Sequence, residues 1–251
     1  MDDGSIRNVR PYSELAKYYD KVMIHVNYKK WAKYIQKILA GYGIKNGVII
    51  DLGFGTGLLF KHFRSRKFMV LGADLSFQMI QSSKTQPPDC PVSFMVNDIC
   101  NTAVKNQVVD VVLFLYDSIN YLQTKLRLKA AFSEVSRILK PDGIFIFDIV
   151  TRHLCEKYFS DHREVMKLPE TKIVRESFFD PEKELQYNFF TFTTGEQSVR
   201  EKHIQRIYSI LEITKEAKRQ HLNIHACYQG LGFRNASEKS ERVHFVCKKY
   251  E

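Results

Sequence analysis

The sequence predicts an α/β fold: a doubly wound, mostly parallel sheet with a small antiparallel β insertion. Three observations carry this. Apolar runs such as Val48-Ile49-Ile50 and Val111-Val112-Leu113-Phe114 are uninterrupted, as in strands buried on both faces. They alternate with helical patterns, and βαβα order implies a doubly wound sheet. After residue 150 the character changes, and 171–206 holds strand-type runs such as Tyr187-Asn188-Phe189-Phe190-Thr191-Phe192-Thr193 with no helix between them.

Taken in order, the spacing predicts a helix over 13–22 with Ser13 as N-cap and Glu14 in the first turn. A second covers 28–40, with Trp31, Ile35, Ile38 and Leu39 on one side and Gly41 and Gly43 ending it. Strands are expected at 47–52, 68–74, 92–97, 108–115 and 143–149, and helices at 57–64, 77–84 and 124–139. In the last helix Leu128, Ala131, Phe132, Val135, Ile138 and Leu139 recur at helical spacing and read as packing. Lys140-Pro141-Asp142-Gly143 should stop it and turn the chain. Ser209 and Glu212 have capping-box spacing and open a helix to about 220. Strands over 222–228 and 241–248 close the chain. The expected organisation is entry helices at 1–45, a nucleoside-binding core at 46–150, an antiparallel lid at 151–206, and the end of the core sheet at 207–251.

Composition narrows the class. The 251 residues suit one large α/β domain, or one with a small insertion. Five cysteines (Cys90, Cys100, Cys155, Cys227, Cys247) include no C-x-x-C pair, which argues for a reducing compartment and against a zinc site or disulfide framework. The eight histidines form no H-x-x-x-H pair on a predicted helix, so no metal is expected. Met1-Asp2-Asp3-Gly4 is acidic and does not start a secretory signal, and the apolar runs are too short to span a bilayer. A cytoplasmic protein is expected. The net charge of +10 is read as solvated helix faces, with a nucleic-acid partner not favoured.

The most informative segment is Asp51-Leu52-Gly53-Phe54-Gly55-Thr56-Gly57, where an apolar run ends in an acid and three alternating glycines follow. A second apolar run, Phe68 to Ala73, ends in Asp74. This order suits a nucleoside ligand: glycine lets backbone approach it closely, and a strand-end carboxylate can accept hydrogen bonds from ribose hydroxyls. A dinucleotide turn, G-x-G-x-x-G, needs its third glycine one residue later; Leu58 stands there.

The D-x-G-x-G-x-G spacing resembles motif I of the class I S-adenosylmethionine-dependent methyltransferases, a family with a seven-stranded, Rossmann-like sheet. The match covers residues 45–150 well and the rest loosely. The resemblance implies that Asp51 and the backbone around Gly53, Gly55 and Gly57 face the methionine part of S-adenosylmethionine. It likewise implies that Asp74 holds the ribose, Leu75 packs on adenine, and Ser76 caps the next helix. Asn97-Asp98-Ile99 resembles the segment where an acid reads the adenine amino group, and Leu115 ends the family's fourth strand. Phe54 stands where the family commonly has a small residue or Cys.

Tyr116-Asp117-Ser118-Ile119-Asn120-Tyr121-Leu122 resembles the D-x-x-N-Y segment of a small-molecule branch that includes sugar-amine and glycine N-methyltransferases. Tyr18-Tyr19-Asp20 and Tyr28-Lys29-Lys30-Trp31 look like that branch's entry helices. The implied activity is methyl transfer to a nitrogen or oxygen of a small or medium-sized acceptor, with S-adenosylhomocysteine as product. Asp117, Asn120 and Tyr121 follow the fourth strand and are expected to face the acceptor. His203, in the expected lid, joins them as a catalytic candidate, histidine being the side chain best suited to moving protons near neutral pH. An RNA acceptor, or a non-catalytic binding role on the same fold, remains the alternative. Oligomeric state is not legible.

Overall fold

The computed structural model describes residues 6–63, 66–83 and 91–250. Met1 to Gly4, Arg64 and Cys90 lie outside them. The elements in chain order are β1 (Arg7–Val9), α1 (Leu15–Val22), α2 (Tyr28–Gly41), β2 (Gly47–Asp51), β3 (Phe68–Asp74), α3 (Phe77–Ser82), β4 (Val92–Val96) and β5 (Val109–Phe114). Then follow α4 (Lys125–Ile138), β6 (Leu139–Val150), α5 (Arg152–Tyr158), β7 (Asp161–Lys167), β8 (Lys172–Asp180), β9 (Leu185–Thr194), β10 (Gln197–Arg206), α6 (Ile210–Arg219), β11 (Leu222–Gln229) and β12 (Arg242–Lys249).

Seven strands form the main sheet in the order β11-β12-β6-β5-β2-β3-β4. The pairs from β4 through β3, β2 and β5 to β6 are parallel, and β12 and β11 are antiparallel additions. From β2 the chain winds outward to β3 and β4, then returns to β5 on the other side. Ligands of such sheets bind beyond the strand ends at this reversal.

Consecutive residues of the central strands face opposite layers. Ile50, Val112, Phe145 and Phe147 pack with Phe132 of α4 and Ile213 of α6. Ile49, Val111, Leu113 and Ile146 pack on the other face with Trp31, Ile35 and Ile38 of α2. All six expected packing residues of 124–139 are buried. The capping box at Ser209 and Glu212 is formed in both directions.

A second sheet, β1-β10-β9-β8-β7, makes the antiparallel insertion. It recruits the N-terminus: β1 pairs in parallel with β10, Arg7 opposite Val199.

Four local expectations are corrected. Residues 57–63 are a run of turns with three-residue closures (Phe60 N–H to Gly57 O, 3.0 Å; Phe63 N–H to Phe60 O, 3.3 Å), not a helix. Phe60 and Phe63, three apart and fully buried, share a side in such turns. Lys140 to Gly143 do not separate helix from strand. α4 runs straight into β6, and the extra residues bulge out between Leu139, opposite Val109, and Ile144, opposite Val111. Helix α5 follows β6 where no helix was expected. Ser13 does not cap α1; Glu14 holds the N-cap position without a side-chain cap bond. The carboxylate of Glu201 on β10 instead accepts the amides of Tyr12 (2.8 Å), Glu14 and Leu15 (2.9 Å).

Candidate active site

β2 delivers Asp51 to the reversal of strand order. It is buried, and its carboxylate accepts the Gly53 amide at 3.2 Å. Burial pushes its pKa up to about 7, against the Gly53 amide and with help from the charge of Asp74. The turn then passes through the left-handed region at Gly55 (φ +58°) and Gly57 (φ +79°), which disfavours any side chain.

Asp74, at the end of β3, ties this turn down. Its Oδ2 accepts the Gly55 amide at 2.9 Å and its Oδ1 accepts the Ser76 amide at 2.8 Å. The carboxylate keeps lone-pair capacity for a ligand hydroxyl. Burial raises the pKa of Asp74 while the Ser76 and Gly55 amides oppose it. Ser76 caps α3 by accepting the Met79 amide at 3.2 Å.

Phe54 turns away from the cleft into the core. Its ring stacks on Phe60 (centroids 5.3 Å) and meets Phe94 edge-on (5.4 Å). The glycines at 57 and 72 leave the room it fills: a Cβ on either would lie within 2.7 Å of the ring.

Beyond β3 the surface is apolar, with Leu75 65% and Phe77 58% exposed, which suits a flat ring beside Asp74. Ile99 is buried. Asp98 is engaged by the protein itself: Arg127 donates to both its oxygens at 3.0 Å, and the Cys100 amide donates at 2.9 Å. Burial works to raise its pKa, but these donors outweigh it and hold it low. Its neighbour Asn97 is buried, with Nδ2 donating to no protein atom. A buried donor without a partner is costly, and a ligand acceptor would relieve it. Sequence reasoning passed over Asn97, although it adjoins Asp98.

Over the glycine turn lies a narrow cleft walled by Tyr19, Tyr28, Trp31, Leu58, Leu115 and Tyr116. Trp31 and Tyr116 also border a cavity of about 590 Å³ whose lining includes Asn27, His153, Glu241 and Arg242. Burial raises the pKa values of Tyr19, Tyr28 and Tyr116, the last to about 12, so these hydroxyls stay protonated at neutral pH. Thr56 of the turn donates to Asp20 at 2.6 Å, and Tyr18 bonds Thr171 at 3.0 Å. Tyr18, Tyr19 and Asp20 thus join α1 to the second sheet, the cleft and the glycine turn.

Tyr116 and Asp117 both adopt left-handed backbone (φ +58° and +53°). Asp148 of β6 holds them there, accepting their amides at 2.6 and 2.9 Å. The Arg242 guanidinium donates to Asp148 and, at 2.8 Å, to Asp117, and lies over the Tyr116 ring at 4.7 Å. Gln205 donates to the other Asp117 oxygen at 2.6 Å. Burial raises the pKa values of Asp117 and Asp148, and Arg242 opposes this. The Asp117–Arg242–Asp148 triad was not foreseen. Asp148, an acid within the apolar run Ile144 to Val150, was the available signal.

The four catalytic candidates divide. Asn120 is fully buried, its Nδ2 donating to Arg206 O (2.8 Å) and its Oδ1 accepting the Val150 amide (3.2 Å). Both ends of its amide are engaged inside the protein, tying the segment after β5 to β6 and β10. Asp117 is bound to Arg242 and Gln205. Tyr121 and His203, far apart in sequence, meet at 2.9 Å.

Residues 50–147 match the model of a methyltransferase domain. The putative methyltransferase YqeM of Bacillus subtilis is 29% identical over 95% of this chain and 97% of its own length. A crystal structure of an S-adenosylmethionine-dependent methyltransferase from Clostridium acetobutylicum superposes with a TM-score of 0.77 at 26% identity, covering 95% of this chain and 98% of that one. The sugar N-methyltransferase KedS8 of Streptoalloteichus shares the fold at 14% identity, with a TM-score of 0.71 over 94% of this chain and 93% of its own. Among the described residues, no helix is long and apolar enough to cross a membrane.

Proposed function

We propose that this chain, an S-adenosylmethionine-dependent methyltransferase by its domain and fold, methylates a nitrogen or oxygen nucleophile on a small or medium-sized acceptor. The observation that carries the reading is the Gly55–Asp74 unit: a left-handed glycine amide bonded to a strand-end carboxylate, next to an aromatic-walled cleft.

The residues suit the methyl donor. Asp51 and the backbone at Gly53, Gly55 and Gly57 would hold its methionine part, and Asp74 its ribose. Leu75, Ile99 and Asn97 would enclose its adenine; Asp98 would take part only by sharing with Arg127. Leu115 would floor the cleft. When bound, S-adenosylmethionine supplies a methyl group already activated on a sulfonium.

What this chain adds is chiefly placement. Holding two reactants at near-attack distance is worth about 7–11 kcal/mol of barrier. Tyr19, Tyr28, Trp31 and Tyr116 line the cleft, Trp31 and Tyr116 border the cavity as well, and these rings would exclude water around the reacting groups. The cavity suits a small or medium-sized acceptor, in keeping with the sugar N-methyltransferase that shares the fold.

The test is S-adenosylhomocysteine release with a panel of alkylamines, amino sugars, phenols and carboxylic acids, beside Asp74→Ala. Acceptor-dependent release lost in the variant is the expected result. Release that no acceptor stimulates, from protein that binds the donor, would count against a small acceptor.

A further inference from the structure

The second sheet contributes a chain of hydrogen bonds with a fixed direction. It starts at Glu201, a fully buried residue whose carboxylate accepts from His203 Nε2 at 2.9 Å. Burial works to protonate this carboxylate. The bonds from His203 and from the first amides of α1 outweigh it, and Glu201 stays ionised. An ionised carboxylate only accepts, so the imidazole proton sits on Nε2. Nδ1 is then the acceptor in the neutral ring, and the Tyr121 hydroxyl donates to it at 2.9 Å. The Tyr121 oxygen in turn accepts from the Tyr12 hydroxyl at 2.7 Å. The Tyr12 oxygen ends the chain with lone-pair capacity for another donor.

That end stands one ring away from the cleft. Tyr12 is half-buried, its ring edge-on to Tyr19 at 6.3 Å, and Tyr19 lines the cleft over the glycine turn. Other groups that face the chain are Asp117 and Arg175, which act on Tyr121 from outside it, and Phe190, edge-on to His203 at 5.2 Å.

Resting on the function proposed above, we propose that Tyr12, Tyr121, His203 and Glu201 are a proton relay serving the acceptor, and that the acceptor is therefore an amine or hydroxyl compound. A carboxylate brings no proton to remove. The acceptor's N–H or O–H bond breaks and its proton joins the Tyr12 oxygen. Tyr12 passes its own proton to Tyr121, and Tyr121 passes its proton to His203 Nδ1. Both tyrosines end neutral. The positive charge rests on His203 beside Glu201, and the freed electron pair stays on the attacking atom to form its new bond to carbon. The transfers reverse after product leaves, returning the proton to solvent. Tyr12 touches the acceptor in this scheme; Tyr121, His203 and Glu201 act through it and are positioning residues.

Two measurements test the relay. Histidine-labelled protein is followed by long-range ¹H–¹⁵N spectra, with His203 assigned by its loss in His203→Gln. A ring with its proton on Nε2 and a bare Nδ1 is expected, with an Nδ1 resonance that moves on Tyr121→Phe and moves less, in the same direction, on Tyr12→Phe. An Nδ1–H ring, or an Nδ1 resonance indifferent to Tyr121→Phe, would overturn the proposal, and neither result needs an acceptor. The second measurement is turnover of the acceptor panel by wild type and Tyr12→Phe. Loss of one hydroxyl should cut kcat about 100-fold near neutrality with KM for S-adenosylmethionine unchanged. The deficit should shrink as pH rises and the acceptor deprotonates unaided. Methylation confined to carboxylates, or a deficit equal at every pH, would overturn the relay. Wild type that fails to bind S-adenosylhomocysteine would instead overturn the underlying function, whatever the imidazole shows.

Discussion

The Phe54 ring fills the space that a side chain on Gly72 would need: a Cβ there would lie 2.7 Å from it. Phe54 follows the first glycine of the turn, and Gly72 lies one strand away on β3. The pair locks the turn's back to the sheet while its front faces the cleft.

Gly72→Ala should therefore overpack the core and cost about 1–3 kcal/mol in urea unfolding. Phe54→Leu opens the space again, so the double variant should recover part of the loss. Strictly additive costs would mean that the two positions do not share the space.

Asp51 makes the protein sensitive to pH. Its pKa is about 7 when folded against an ordinary 3.8, so the folded chain holds the proton more tightly than the unfolded one. The resulting stabilisation is fully present below pH 3.8 and is lost as pH rises through 7. At about 1.4 kcal/mol per pH unit, ionising it in place costs of order 4 kcal/mol. The ammonium on the methionine part of the donor or its product favours the ionised form. S-adenosylhomocysteine binding at pH 6.5 should accordingly release a proton and tighten toward neutrality. Calorimetry in buffers of different ionisation enthalpy reads both effects, and Asp51→Asn should abolish the proton release.

Arg242 keeps two buried carboxylates tolerable. Arg242→Met should cost about 3–5 kcal/mol, since it leaves Asp117 and Asp148 facing each other unpaired. The raised pKa values of both acids work in the same direction as that of Asp51. The variant should regain stability as pH falls and they take up protons. Thermal melts across pH check this, and a cost that does not vary with pH would contradict it.

Much of the sheet is legible in the sequence because its central strands are buried on both faces and read as plain apolar runs. Asp51 and Asp74 stand out because an acid ending such a run breaks the pattern. What stays hidden is what depends on distant partners. β1 is three residues long, shows no periodicity, and gains its identity only from β10, about 190 residues away. The cap of α1 comes from Glu201, while the local signal at Ser13 goes unused. Asn120 looks like a ligand-facing amide beside Asp117, yet one turn of 3-10 helix at Ser118–Tyr121 aims it inward. The meeting of Tyr121 and His203 needs the second sheet in place against the first.

Under the proposed function, Asp74 and the Gly55 turn form the nucleoside end of a methyl-donor site. Calorimetric titration of the wild type and Asp74→Ala with S-adenosylmethionine and S-adenosylhomocysteine tests it most directly. Micromolar binding of both by the wild type, lost in a variant that still folds, is the expected result. A well-folded wild type that binds neither would contradict it, leaving a methyltransferase fold used for something other than methyl transfer.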